Sequence, residues 1–169
     1  MKYNKIALIG MPGCGKSKTA KIISEKLNCA FFDTDAIFEK KHCGISEYFE
    51  KYGEDKFRYE ESLILSSIVK NDNFILSTGG GIVLLPENRD ILFGSNIVTF
   101  YLKTSENELF KRLTNDSSRP LLNNSKDKFN SIVKLARSRE KYYSKASFII
   151  NTDCKSADMA ADEIIEIIK

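Results

Sequence analysis

Gly10-Met11-Pro12-Gly13-Cys14-Gly15-Lys16-Ser17 follows the pattern G-x-x-x-x-G-K-[ST], whose chemistry is the cradling of a polyphosphate. Glycines let successive backbone N–H groups turn toward one anion. A helix N-terminus behind them adds the positive end of its dipole. In such loops the lysine, here Lys16, reaches the β- and γ-phosphates, and the hydroxyl, here Ser17, joins the shell of a Mg²⁺ ion. Cys14 inside the loop has two readings: a thiol activated by Lys16 and a helix start, or a small residue filling a tight turn. The second is preferred.

Two carboxylates follow in Phe31-Phe32-Asp33-Thr34-Asp35, at the end of an apolar run. Ligands of open α/β sheets bind outside the carboxyl ends of the strands. One carboxylate can serve Mg²⁺, which usually keeps several waters. The other can take the proton of an attacking hydroxyl. An extended Asp33–Asp35 segment would point both the same way. The competing role for one of them is to cap the helix that follows. A third signal, Gly79-Gly80-Gly81 after Ile75-Leu76-Ser77-Thr78, costs conformational entropy and suits a place where a ligand or another backbone approaches closely.

Several arginines stand where a surface charge is not expected. In a helix predicted over Glu54–Val69, Phe57, Glu61, Ile64 and Ile68 share a stripe. Glu61 on that apolar face needs a partner, and Arg58, three residues earlier, can supply it. Such an arginine is pre-oriented to receive a carboxylate; a plain i,i+3 surface pair is the alternative. A helix predicted over Ile132–Ala146 places Arg139 among Ile132, Ala136, Tyr143 and Ala146, which suggests an anion site or a snorkelling side chain. Arg112 ends a helix just before a polar stretch, about 114–128, and Arg119 lies within that stretch. That stretch reads as a surface loop or as a mobile lid whose arginine closes on phosphates. His42, beside Lys40 and Lys41, is the only histidine and reads as surface, so histidine base catalysis is not expected.

Five apolar runs must position these residues: Ile6–Ile9, Ala30–Phe32, Phe74–Leu76, Ile97–Leu102 and Phe148–Ile150. They are near-continuous, as strands buried on both faces are. Amphipathic helical segments separate them, including Lys16–Leu27 with Ala20, Ile23 and Leu27 on one stripe. That alternation predicts an α/β fold, a parallel sheet wrapped by helices. The chain of 169 residues suits one domain.

A net charge of +3 is too mild to argue for nucleic acid. The four cysteines form no CxxC pair, which disfavours zinc and fits a reducing compartment. Met1-Lys2-Tyr3 runs straight into a strand-like segment, with no secretory pattern. No apolar run approaches the ~18 residues of a membrane span. A cytoplasmic protein without membrane partners is expected.

Taken together, Gly10–Ser17, Asp33-Thr34-Asp35, Gly53-Glu54-x-x-Phe57-Arg58-x-x-Glu61, Gly79-Gly80-Gly81, Arg119-Pro120-Leu121-Leu122 and Arg139 with Tyr143 closely resemble the shikimate kinase family. The resemblance spans nearly the whole chain. It implies a P-loop kinase with a five-stranded parallel sheet of order 2-3-1-4-5 and a single domain with a lid at about 114–128; a monomer is expected. It implies ATP with Mg²⁺ as phosphoryl donor and the 3-hydroxyl of shikimate as acceptor.

By the same resemblance Gly13, Cys14, Gly15, Lys16, Ser17, Lys18, Arg112 and Arg119 meet ATP. Ser17 and Asp33 serve the metal. Asp35, Arg58, Gly79, Gly80, Gly81 and Arg139 meet shikimate. Asp35, Lys16 and Arg119 are the catalytic set, with Asp35 as base.

Three departures stand out. Lys18 replaces a usual Ser or Thr. Asn151–Lys155 lacks a proline often set against adenine. Arg139-Glu140-Lys141-Tyr142-Tyr143 lacks the usual Pro-Leu before its last tyrosine. The rivals are another small-molecule or nucleoside monophosphate kinase, since the loop also resembles that of adenylate kinase, and a nucleotide-binding protein without transferase activity. No N-K-x-D motif supports a GTPase.

Overall fold

Three apolar runs are strands with almost no exposed side chain, and they form the middle of the sheet. In the computed structural model, which describes residues 3–94, 96–114 and 127–169, these are β1 (Lys5–Ile9), β3 (Phe74–Ser77) and β4 (Val98–Lys103). β2 (Ala30–Asp33) and β5 (Phe148–Asn151) close the two edges, giving the order β2-β3-β1-β4-β5 with every pairing parallel. This is the expected order. The edge strands correct one expectation: β2 and β5 are only partly buried, because each pairs on one side only.

Parallel strands need crossovers, and helices supply them. They are α1 (Lys16–Leu27), α2 (Thr34–Lys41), α3 (Ile45–Ile68), α4 (Pro86–Phe93), α5 (Glu106–Thr114), α6 (Lys128–Tyr143) and α7 (Ala157–Ile168). α3 is two helices in sequence, broken at Gly53, whose φ of 81° is not helical. The expected start at Glu54 is thus the start of its second half. α6 begins four residues before the expected Ile132, because the Asp127 carboxylate caps it by accepting from the Asn130 N–H at 3.1 Å. No helix among the described residues is long and apolar enough to cross a membrane.

Register decides what meets what. Ser77 pairs with Leu8 of β1 on one side and with Asp33 of β2 on the other. The phosphate loop leaves β1 two residues beyond Leu8, and the glycine triplet leaves β3 two residues beyond Ser77. Segments far apart in the chain therefore open side by side at one edge of the sheet. The expected lid at about 114–128, with Arg119, lies almost wholly outside the described residues.

Candidate active site

The start of α1 is built without a side-chain cap. Its N-cap is Gly15, and no acidic residue occupies the first turn. The amide groups that a helix start leaves unpaired and the positive dipole end are thus kept for an outside anion. Lys16 is nearly buried and folds back on its own loop. Its Nζ donates to the Gly10 and Met11 carbonyls, both at 2.9 Å, and lies 3.6 Å from the Cys14 Sγ. Cys14 is buried among the core residues, in accord with the role of turn filler. Lys18 is exposed and lines a cleft of about 230 Å³ together with Gly13, Gly15, Lys16, Ser17, Asp35 and Thr78.

A larger cleft of about 440 Å³ adjoins the other side of Ser17 and Asp35. Asp33, Arg58, Glu61, the three glycines and Arg139 line it, with Phe49, Phe57 and Leu135 as apolar walls. Ser17 and Asp35 thus belong to both clefts. Asp35 does not lie on an extended segment as expected. Asp33 turns the chain at once: its Oδ1 accepts from the Asp35 and Ala36 N–H groups at 3.0 and 3.2 Å. That caps α2 and puts Asp35 in its first turn. Asp33 therefore fills the capping role as well as facing the cleft.

The Arg58–Glu61 pair is no surface pair. The Glu61 side chain is 2 % exposed and that of Arg58 9 %, with Arg58 Nη1 donating to Glu61 Oε2 at 2.7 Å. Glu54, at the start of the second half of α3, accepts from Arg58 Nε and Nη2 at 3.2 and 3.1 Å. Burial pushes the Glu61 carboxyl up to about 7, with Asp35 adding to the rise while Arg58 and Arg139 oppose it. Burial works against the Arg58 charge, yet Glu61 and Glu54 hold its pKa above the ordinary value.

Arg139 is buried, not snorkelling. Its Nη1 donates to the Gly80 carbonyl at 3.1 Å, and the Tyr143 hydroxyl donates to the same oxygen. Glu61 Oε1 and Arg139 Nε are buried with no hydrogen-bond partner among the described residues.

The glycines are needed for closeness. A Cβ on Gly80 would sit 2.6 Å from Pro12 Cδ, and one on Gly81 would fall on the Arg58 guanidinium. The phosphate loop and the glycine turn are therefore packed face to face through Pro12.

Sequence reasoning passed over several contributors. The Thr34 hydroxyl accepts from the Gly79 N–H at 2.7 Å, and the Ser77 hydroxyl lies 3.2 Å from that of Ser17. The Thr78 hydroxyl donates to the Leu8 carbonyl at 3.0 Å. The only available signal was a run of polar residues closing an apolar strand. Arg112 lines neither cleft. It is held by Glu108 at 2.9 Å and donates to the Thr152 carbonyl at 3.0 Å, within the Asn151–Lys155 segment that the resemblance sets against adenine. His42 is a surface residue as expected, though its ring rests on Phe38 and lies 3.4 Å from Glu60.

Strand order, phosphate loop and two clefts sharing a hydroxyl and a carboxylate define a P-loop kinase acting on a small acceptor. The family model for shikimate kinase matches residues 12–169. A shikimate kinase of Caldicellulosiruptor saccharolyticus is 40% identical over 163 residues, 96% of this chain and 94% of its own. One from Legionella pneumophila is 35% identical over 168 residues, 98% of this chain and 95% of its own. A solved structure, shikimate kinase from Acinetobacter baumannii in complex with shikimate, matches with a TM-score of 0.93 at 30% identity, covering 98% of this chain and 93% of that one. The chain belongs to the shikimate kinase family, and ATP-dependent phosphoryl transfer is its class of reaction.

Proposed function

We propose that this chain transfers the γ-phosphate of ATP to the 3-hydroxyl of shikimate, with the smaller cleft taking the phosphates and the larger one the acceptor. The observation that carries this is the sharing of Ser17 and Asp35 by both clefts. A reacting hydroxyl and a reacting phosphate have to meet at such a junction. The larger cleft also offers what a hydroxylated carboxylate requires: two buried guanidinium groups, carboxylates, apolar walls and two unpaired buried polar atoms. An unpaired buried polar atom is costly until a ligand meets it.

In this reading Lys16 leaves the Gly10 and Met11 carbonyls for the phosphates, and the amides at the start of α1 hold them. Arg58 and Arg139 receive the acceptor carboxylate. Asp35 accepts the proton of the attacking hydroxyl. The oxygens of Ser17 and Asp33 face one cleft and suit a hard cation. The Asp33 cap uses Oδ1, which leaves Oδ2 outside it. A Mg²⁺ held there would neutralise charge on the phosphates during transfer. Four unpaired thiols accord with a cytoplasmic setting.

ATP consumption with shikimate, gluconate, AMP, CMP or no acceptor tests the assignment. Shikimate should stimulate turnover strongly and AMP should not. Equal stimulation by AMP, or none by shikimate, would sink it.

The state of Glu61 adds a pH dependence. Its folded pKa, about 7, stands above the ordinary carboxyl value of 4.5, so the folded state holds this proton more tightly than the unfolded chain. The resulting stabilisation is full below the unfolded value and is lost as pH rises through the folded one. Glu61→Gln keeps an oxygen for Arg58 and removes the titration. Deleting the side chain would instead break a buried pair, at about 3–5 kcal/mol. Relative to Glu61→Gln, the wild type should lose stability from about pH 4.5 to 7 and level off above. Urea midpoints of the two proteins across that range decide it, and parallel curves would refute the protonation state assigned to Glu61.

A further inference from the structure

We propose that Arg89 and Tyr142 form a positioning pair that fixes the far end of the glycine turn, and through it the shape of the acceptor cleft. The inference rests on reading the larger cleft as the acceptor site.

The glycine triplet runs directly into one 3₁₀ turn, Ile82–Leu84. Within it the Ile82 N–H donates to the Gly79 carbonyl at 3.2 Å and the Leu84 N–H to the Gly81 carbonyl at 2.9 Å. A turn this short leaves its last carbonyls without partners of its own. Arg89, on α4, supplies them. Its Nη1 donates to the Val83 carbonyl at 2.8 Å and to the Leu84 carbonyl at 2.7 Å. Both are charge-assisted hydrogen bonds, stronger than neutral ones.

The guanidinium that makes them lies over the Tyr142 ring, its Cζ 4.5 Å from the centroid. The Lys141 ammonium is also near that ring, at 4.9 Å, but only Arg89 touches the turn. The guanidinium is planar and can lie flat on an aromatic face, which a lysine cannot do.

The near end of the same turn is held from the same helix. Arg139 and Tyr143 of α6 both donate to the Gly80 carbonyl. The last turn of α6 therefore grips the glycine turn at two points, directly at Gly80 and through Arg89 at Val83 and Leu84. Between those points lies Gly81, which has no room to move toward Arg58. If the far end were free, the turn could pivot about Gly80. The floor of the acceptor cleft would shift while the phosphate loop and Lys16 stayed where they are.

Neither residue lines a cleft, so a purely structural role has to be separated from a positioning one. Steady-state kinetics of Arg89→Ala, Arg89→Lys, Tyr142→Ala, Tyr142→Phe and the Arg89→Ala/Tyr142→Ala double variant do so. Arg89→Ala should raise KM for shikimate about tenfold, the scale of one lost charge-assisted hydrogen bond. KM for ATP should stay within about twofold, because Gly80, the part of the turn packed on the phosphate loop through Pro12, stays held by Arg139 and Tyr143.

Arg89→Lys should fall between Arg89→Ala and the wild type. Tyr142→Ala should raise KM for shikimate about threefold, the scale of a lost cation–π contact, and Tyr142→Phe should match the wild type. The double variant should be no worse than Arg89→Ala alone, since Tyr142 acts through Arg89.

An unchanged KM for shikimate in Arg89→Ala, or effects of the two residues that add in full, overturns the proposal. If Arg89→Ala does not fold, Tyr142→Ala against Tyr142→Phe decides it. Amide exchange at Ile82 and Leu84 should quicken in Arg89→Ala, and unchanged exchange overturns the pair without any reference to substrate. A wild type that shikimate does not stimulate would count against the acceptor assignment, and the exchange result would still decide the pair.

Discussion

Lys16→Ala is expected to lower phosphoryl transfer roughly 10²–10³-fold or more, the range for losing one pre-placed group on a developing charge, while the fold persists. The loop's shape does not depend on the ammonium group. It is set by backbone, with the Cys14 N–H donating to the Met11 carbonyl at 3.2 Å and the Thr19 N–H to the Gly15 carbonyl at 3.0 Å. Lys16 adds two hydrogen bonds to loop carbonyls, each contributing about 0.5–1.5 kcal/mol net. Its loss should therefore lower the melting temperature by a few degrees, not unfold the protein. What is lost is the one lysine buried in the loop whose charge can pass from two carbonyls to a phosphate. Turnover at saturating ATP and shikimate, with a circular dichroism melt of the same sample, checks both halves. Near-normal turnover in a folded variant would mean that the phosphates lie elsewhere.

The contrast between what was legible in the sequence and what was not follows the range of the interactions. β1, β3 and β4 are continuous apolar runs because both their faces are covered, and the phosphate loop follows from glycine spacing between a strand and a helix. Both are local patterns. β2 and β5 read like the others, since a run such as Ala30–Phe32 does not tell whether a neighbour lies on one side or two.

Asp35 was misplaced by a single residue's choice. The Asp33 cap ends the strand earlier than its apolar run suggests, and side-chain capping competes locally with strand propagation. Arg58 and Glu61 were visible as a pair from helical spacing, but only packing against the glycine turn shows that they are buried. Pro12 on Gly80, Thr34 on the Gly79 N–H, and Arg89 on Val83 and Leu84 had little signal beyond the proline inside the loop and the polar residues closing the strand. The first two join segments brought together by strand register, and nothing in either segment alone requires the other; the third is local in sequence, but an arginine at the start of a helix does not show that it turns back onto the preceding carbonyls.

The two aspartates separate by substitution in a way that their positions, one capping α2 and one in its first turn, make clean. Asn is as good an N-cap as Asp, so Asp33→Asn keeps an oxygen for the Asp35 and Ala36 N–H groups and the start of α2 should hold. What changes is the charge offered to a cation. The variant should need a higher Mg²⁺ concentration for half-maximal turnover, with a maximal rate near that of the wild type. Asp35→Asn removes a base at the junction of the two clefts. It should lower turnover by about 10²–10⁴-fold, the range for a positioned general base, at any Mg²⁺ concentration, and leave ATP–Mg²⁺ binding nearly unchanged. Glu61 supplies an independent readout. Asp35 is one cause of the rise in its carboxyl, so the pH-dependent stability loss attributed to Glu61 should move toward lower pH in Asp35→Asn and stay put in Asp33→Asn. Mg²⁺ titrations that coincide for the two variants would show that the roles are not divided this way. Asp35→Asn with substantial turnover would remove it as the base and leave proton transfer to water or to the phosphate itself.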